Sequence, residues 1–329
     1  MVLQTDHRNN TIDTLKGALI FLVVMAHLLG GSAEQGQVKN IYNFIYTFHM
    51  PAFALISGFL GKGRNNLEPY KLTKQILIPL ITFNIIYEII NFFLTGDISG
   101  YLKIGAPYWI MWFLLSLLCW HVIASILFSL RHPLMISIIL SLGFQFIDFS
   151  TQTLSIMRTV NFLPYFIMGG VIFKKNIHNN SHNRKILILS LCTSILTLIA
   201  LSKLTPTIFL YGAFPFSHFE TPTAELIIFK LINYIAVPFL VLPLIFLKPT
   251  CKTLERFGRK SMNIYLIHGL FILYASSYLN QHGSLLFILA GSVAISFVTC
   301  HVLSSTFISV FVDRFFSAVQ KNMLSKASH

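Results

Sequence analysis

Residues 108–130 read YWIMWFLLSLLCWHVIASILFSL and contain no Asp, Glu, Lys or Arg. A helix needs about 20 mostly apolar residues to cross the hydrocarbon core of a bilayer. This run meets that length without a single acidic or basic side chain other than one histidine. It is therefore predicted to span a membrane as an α-helix.

Stretches of the same kind recur on both sides of this run, separated by short polar loops. We expect an all-α, polytopic membrane bundle of about ten transmembrane helices, because helices satisfy their own backbone hydrogen bonds in lipid. The chain is predicted to form one membrane domain over residues 1–329, with no soluble domain. The predicted spans lie near residues 14–33, 41–60, 73–94, 108–130, 133–149, 159–173, 186–202, 225–247, 261–279 and 284–311.

The composition excludes most other classes of protein. Of the 329 residues, 55% are hydrophobic and 11% are charged, whereas a soluble domain carries about 25% charged residues. A disordered chain would need low hydrophobicity as well as high net charge. The four cysteines are scattered without the spacing of metal ligands, so no metal site is expected.

The net charge of +13 is distributed as membrane insertion requires. Most of the 24 Lys and Arg residues fall in alternate loops, and such loops stay on the cytoplasmic side. This pattern predicts a multi-pass protein of the cell (inner) membrane with both termini in the cytoplasm. A nucleic-acid partner is not expected, because the charge does not gather on one face.

The first span carries ionisable residues, which are costly inside a bilayer and therefore indicate a functional or structural role. Lys16 and His27 are eleven residues apart, close to three helical turns, so they are predicted to share one face. Their separation along the axis is about 16 Å, which places His27 deep toward the outer half. Asp13 lies one turn before Lys16 and is expected to pair with it.

The second span contains His49 at a depth similar to that of His27, followed by Pro51. A proline inside a helix frees a backbone carbonyl, and such breaks in membrane helices tend to line cavities. Two histidines in one pocket suit general-base chemistry, because the imidazole pKa lies near neutrality. The alternative is that each histidine only makes a hydrogen bond between helices.

Further polar residues fall near the two membrane surfaces. Arg158 breaks the positive-inside pattern on the outer side, where it either pairs with Glu88 or Asp148 or binds a polar substrate. Trp112 fits a substrate site or an aromatic belt at the interface.

On the inner side, Lys71 and Lys74 lie three residues apart where the third span begins. The start of a helix favours anions, so the two lysines predict a cytoplasmic phosphate site. Positive charge that only sets the topology is the alternative.

Five blocks of the sequence, in order, resemble the acyltransferase-3 family of integral-membrane acyltransferases. The likeness is greatest to the branch that resembles fucose 4-O-acetylases and polysaccharide O-acetyltransferases. The blocks are Asp13 to Gly17 followed by His27, the run FHMPAFALISGF at 48–59, Trp112 with the next two residues, Arg158 with FLPYF at 162–166, and GRKSMNIYLIHG at 258–269.

This resemblance implies an acyltransferase that moves an acetyl group from cytoplasmic acetyl-CoA to a hydroxyl of a cell-surface sugar or polysaccharide. The acceptor would be lipid-linked or a finished polymer. The family's catalytic histidine corresponds to His27 and its basic partner to Lys16. Its paired cytoplasmic arginines, which hold the phosphates of the donor, correspond by charge to Lys71 and Lys74.

The reaction also needs hydrogen-bond donors for the oxyanion that forms on the acyl group, and Ser57, Trp112 and His49 are the candidates. The leading alternative function is a secondary transporter of a small polar or anionic solute, since transporters also have broken helices and ionisable residues near the midplane.

Overall fold

The computed structural model describes residues 9–32, 36–61, 67–148, 153–175, 183–282 and 284–323, and these ranges contain helices and no strand. The prediction of an all-α polytopic bundle is confirmed. The helices are α1 Asn10–Leu29, α2 Gly36–Leu60, α3 Pro69–Thr95, α4 Trp112–Leu127, α5 Pro133–Phe144, α6 Ile156–Lys174, α7 Arg184–Leu204, α8 Thr223–Leu247, α9 Lys252–Arg259, α10 Ser261–His282, α11 Leu285–Leu303 and α12 Thr306–Met323.

Eight helices in the described ranges are long and apolar enough to cross a membrane. They are α1 to α4, α6 to α8 and α11, where α4 is extended by the 3-10 turn Trp109–Met111 and α6 by Thr153–Ser155. Helix α5 and the apolar part of α10 are shorter, and they occupy the predicted fifth and ninth spans. The predicted last span, 284–311, is divided instead, because α11 ends at Leu303 and α12 begins at Thr306.

Local signals in the sequence set several helix ends. The Asn9 side chain accepts hydrogen bonds from the backbone N–H groups of Thr11 and Ile12, which starts α1 four residues before the predicted span. Ser284 caps α11 in the same manner, through the N–H of Phe287. Gly96 ends α3 with a φ of 76°, a left-handed conformation that glycine adopts at low cost.

Helices α2 and α6 cross in backbone contact at two glycines. A Cβ at Gly58 would overlap the carbonyl of Phe166, and a Cβ at Gly169 would overlap the carbonyl of Leu55. Lipid supplies no hydrophobic force between helices, so van der Waals contact across small residues drives their association. The two glycines therefore allow an approach that no larger residue permits.

Helix α1 crosses the short helix α9 in the same reciprocal manner. A Cβ at Gly17 would overlap the carbonyl of Leu254, and a Cβ at Gly258 would overlap that of Asp13. The Arg259 side chain reinforces this crossing, with Nε 3.8 Å from Oδ2 of Asp13.

Two of the prolines inside the spans have their freed carbonyls bonded by neighbouring helices. Pro51 cannot donate to the carbonyl of Thr47, and Nδ2 of Asn233 donates to it instead at 2.9 Å. Pro243 frees the carbonyl of Phe239, which accepts a hydrogen bond from the Ser190 hydroxyl at 3.2 Å. These contacts tie α8 to α2 and α7.

Gly169→Ala is expected to destabilise the bundle by about 1–3 kcal/mol, because the new methyl group forces α2 and α6 apart. The matched control is Gly143→Ala, since a Cβ at this helical glycine meets no atom within 4 Å. Thermal unfolding of both variants in detergent is the measurement. Equal midpoints for the two variants would contradict a close crossing at Gly169.

Candidate functional site

The site is built around α1, which carries Lys16 and His27 on one side. Both residues line a narrow channel of about 180 Å³ that also touches Ser57, Phe113 and Met262. The prediction that Lys16 and His27 share a face is therefore confirmed.

Two larger cavities adjoin this channel. The inner cavity, of about 660 Å³, is lined by Lys71 and Lys74 and shares Ser57, Leu60, Leu117 and Met262 with the channel. The outer cavity, of about 600 Å³, shares His27, Met50, Ile110 and Trp112 with the channel. His27 thus lies in the wall between a path from the inner side and a space on the outer side.

The imidazole of His27 is packed against two other rings. The Trp109 ring lies 5.0 Å away between centroids in an edge-on arrangement, and the His268 ring lies 5.5 Å away. Nδ1 of His268 donates to the carbonyls of Ile264 at 3.0 Å and Tyr265 at 2.8 Å. Its Nε2, an acceptor in that tautomer, is buried without a hydrogen-bond partner among the described residues.

His268 is the site residue that sequence reasoning missed, although it stands in one of the five family blocks. The expected neighbour of His27 was His49. His49 is instead buried behind the wall of the outer cavity, where its ring packs against Tyr46 and its Nδ1 donates to the carbonyl of Ile45 at 2.8 Å. The signal that could have found His268 is a further histidine inside an apolar helix.

A small charge network lies at the Lys16 end of the channel, the end that the sequence predicts to face the cytoplasm. Nζ of Lys16 lies 3.5 Å from Oδ1 of Asp13, so the predicted pair is present. The same carboxylate faces Arg259, which also contacts Glu255. Asp13 therefore joins α1 to α9 and does not reach His27, while Lys16 remains on the channel wall.

Arg158 and Trp112 of the predicted outer site come together, whereas Glu88 and Asp148 do not join them. The Arg158 guanidinium lies 5.1 Å from the Trp112 ring centroid, and both side chains line the outer cavity. The Glu88 carboxylate does not contact Arg158. It accepts hydrogen bonds from the backbone N–H and the hydroxyl of Ser99. Asp148 accepts from the Ser217 hydroxyl at 2.5 Å, so neither expected carboxylate pairs with Arg158.

The inner cavity collects the residues predicted for the cytoplasmic side. Lys71 and Lys74 both line it, and Nζ of Lys71 lies 3.4 Å from Oε2 of Glu68. Ser57 opens to this cavity and to the channel, which places it on the inner side of His27. Residues Thr73–Leu77, which include Lys74, form a π-helical turn that the sequence pattern did not predict.

The sequence matches the family described as an acyltransferase domain (Acyl_transf_3) over residues 9–309. The chain belongs to this family. With eight candidate spans in the described ranges, it is a multi-pass membrane protein of the acyltransferase family. No solved structure is significantly similar to it.

Two relatives are nodulation proteins named NolL. The chain is 30% identical over 128 residues to NolL of Sinorhizobium fredii (strain NBRC 101917 / NGR234), which covers 34% of this chain and 35% of that protein. It is 34% identical over 86 residues to NolL of Mesorhizobium japonicum (strain LMG 29417 / CECT 9101 / MAFF 303099), covering 23% of each. The matches thus span about a third of the first relative and less of the second.

The two-sided arrangement predicts opposite accessibility for cysteines placed in the two large cavities. In a background without the four native cysteines, Ser57→Cys should react with a membrane-impermeant thiol reagent only from the cytoplasmic side. Ser277→Cys, in the outer cavity, should react only from outside. Ser116→Cys is the buried control and should react from neither side. Labelling of Ser57→Cys from outside would contradict the orientation.

Proposed function

We propose that this protein is a membrane O-acyltransferase that moves an acetyl group from cytoplasmic acetyl-CoA to a hydroxyl of a cell-surface sugar or polysaccharide. The observation that carries the proposal is the position of His27, which lines both the channel from the inner cavity and the outer cavity. A base in that wall can meet a donor from one side and an acceptor from the other.

The inner cavity suits the donor. Acetyl-CoA is a polyanion with a long thin arm, and Lys71 and Lys74 supply positive charge at the start of a helix. The narrow channel then leads to His27 past mostly apolar side chains. In this arrangement the nucleotide stays in the inner cavity, and only the thioester arm approaches the base.

The outer cavity suits a sugar. Its lining includes eight aromatic residues, whose rings present flat apolar faces and, in the tyrosines, hydroxyl groups. A sugar has the same mixture of apolar C–H faces and hydroxyl edges. The aromatic lining residues are Tyr42, Tyr46, Tyr101, Trp109, Trp112, Phe162, Tyr211 and Phe214.

His27 acts as the general base in the proposed reaction. It takes the proton from the acceptor hydroxyl as that oxygen attacks the acyl carbon. The C–S bond then breaks, and the thiolate of CoA takes the proton from the imidazolium, which leaves the acetyl ester and the free thiol. The His268 ring lies 5.5 Å from the His27 ring between centroids, and its Nε2 has no hydrogen-bond partner among the described residues, so His268 is the candidate for orienting the imidazole during the reaction.

The oxyanion that forms on the acyl group needs a hydrogen-bond donor beside the base. Of the three candidates from the sequence, Trp112 lines both the channel and the outer cavity together with His27. Ser57 lines the channel and the inner cavity but not the outer cavity, and His49 lines neither the channel nor the outer cavity. Trp112 is therefore the preferred donor.

His27→Ala should lower acetyl transfer by about 10²-fold to 10⁴-fold, the usual contribution of a general base. The assay incubates membranes containing the protein with acetyl-labelled acetyl-CoA and a sugar fraction, and follows label on sugar and release of CoA. The matched control is His132→Ala, an exposed histidine at the start of α5 that lines neither the channel nor the two adjoining cavities.

Transfer that survives in His27→Ala would refute the assigned base. Label retained on the wild-type protein without acceptor would indicate an acetyl-histidine route in place of direct transfer. If wild-type membranes neither bind acetyl-CoA nor release CoA, the transporter alternative replaces the proposal.

Changing Lys71 and Lys74 together to Gln should raise the KM for acetyl-CoA about tenfold or more while kcat changes little. Two point charges that bind phosphate contribute equally to the ground state and the transition state. Changing Arg184 and Lys185 to Gln is the control, because it removes the same charge from the exposed inner end of α7. An equal KM for acetyl-CoA in both double variants would contradict the assignment of Lys71 and Lys74 to the donor site.

A further inference from the structure

The outer cavity carries positive charge and no acidic residue. Arg158 lies in its wall, stacked on Trp112, and the described residues that line the cavity include neither Asp nor Glu. Arg158 makes no ion pair within the described part of the chain. A guanidinium at membrane depth is costly without a counter-charge, so it normally pairs with a carboxylate or a ligand.

A small side pocket adjoins this cavity. It has a volume of about 50 Å³ and shares Tyr46, Phe162 and Leu210 with the outer cavity. On α6, Asn161 and Phe162 lie one helical turn after Arg158, on the same side of the helix. The side pocket and Arg158 therefore lie next to each other along the same side of α6.

The side pocket contains a buried lysine. Lys230 is 6% exposed and lies seven residues into α8, about 10 Å below the start of that helix. Its ammonium has three N–H groups, and one of them donates to the carbonyl of Ser141 at 3.3 Å. No other hydrogen bond or ion pair of Lys230 involves the described residues.

The rest of the pocket offers donors rather than anions. The Asn161 amide lines it and has no hydrogen-bond partner of its side chain among the described residues. The Asn233 amide is held in place, because it donates to the carbonyl of Thr47 and accepts from the Tyr165 hydroxyl at 2.5 Å. No Asp or Glu belongs to the described lining.

We propose that the outer cavity and its side pocket select an acceptor that carries an anionic group, with Arg158 and Lys230 as its counter-charges. The proposal rests on the proposed function in treating the outer cavity as the acceptor site. The anion is a carboxylate of an acidic sugar or a phosphate that links the sugar to a lipid. The side pocket is too small for a sugar ring and admits only a group of carboxylate or phosphate size.

Charge and hydrogen bonding both favour this ligand over a neutral one. A neutral sugar would leave the buried Lys230 and the partly buried Arg158 without an anion. An anionic group would instead accept the remaining N–H groups of Lys230 and offset the charge of Arg158. A lysine with only a packing role would not make ligand affinity depend on the charge of the ligand. Affinity for matched charged and neutral probes therefore tests the idea directly.

Tryptophan fluorescence of the purified full chain in nanodiscs reports on the cavity. The protein has three tryptophans, and Trp109 and Trp112 line the outer cavity. One arm compares glucuronate with glucose, which differ at a carboxylate. The other compares polyprenyl phosphate with polyprenol in the nanodisc. At least one anionic probe should bind about tenfold or more tightly than its neutral partner, the range of one charge-assisted hydrogen bond.

The preference should fall in Lys230→Met and in Arg158→Gln, and it should return in Arg158→Lys. Lys203→Gln is the control, because it removes an exposed cation from the outer end of α7. A preference for glucuronate identifies a carboxylate, and one for polyprenyl phosphate a lipid phosphate. Equal affinity for charged and neutral probes in both arms overturns the proposal, as does a preference that both neutralising variants keep.

The experiments distinguish failure of this inference from failure of the proposed function. His27→Ala should retain the anion preference, because binding does not need the base. A chain that binds the anionic probe but never transfers acetyl would refute the proposed function alone. A chain that transfers acetyl without any charge preference would refute this inference alone.

Discussion

Backbone contact between helices at paired glycines is the constraint on which the rest of the structure depends. Gly58 and Gly169 bring α2 against α6, and Gly17 and Gly258 bring α1 against α9. Van der Waals contact is short-ranged, so one added methyl group at such a crossing moves a whole helix. The same helices carry the site: α1 holds His27, α2 holds Ser57, and α6 holds Arg158. The distances between these side chains follow from the crossings.

This packing leaves the channel and the outer cavity next to each other, separated by side chains that line both. His27 and Trp112 line both the channel and the outer cavity, whereas Lys71 and Lys74 line only the inner cavity. A soluble donor and an acceptor outside the membrane can then meet at one imidazole without either crossing the bilayer. The proposed chemistry takes place at His27 because its side chain lines both spaces.

The cations near the inner cavity and those near the outer cavity have different explanations. The inner lysines agree with the rule that places cations in the cytoplasm, so topology alone would retain them. Arg158 and Lys230 break that rule and lie without carboxylate partners among the described residues, in helices that are otherwise apolar. The outer cations therefore point to a ligand more directly than the inner ones do.

The sequence by itself determined the all-α class and the shared face of Lys16 and His27. Each of these depends on local hydrophobicity and on the period of a helix, which a single stretch of chain contains. The neighbours of His27 could not be predicted in this way. His268 lies 241 residues further along the chain, and only helix packing brings it to the site. The same holds for Glu88, whose carboxylate bonds Ser99 instead of Arg158. Tertiary structure alone decided which polar residues meet, since contact between helices depends on crossings that no local pattern records.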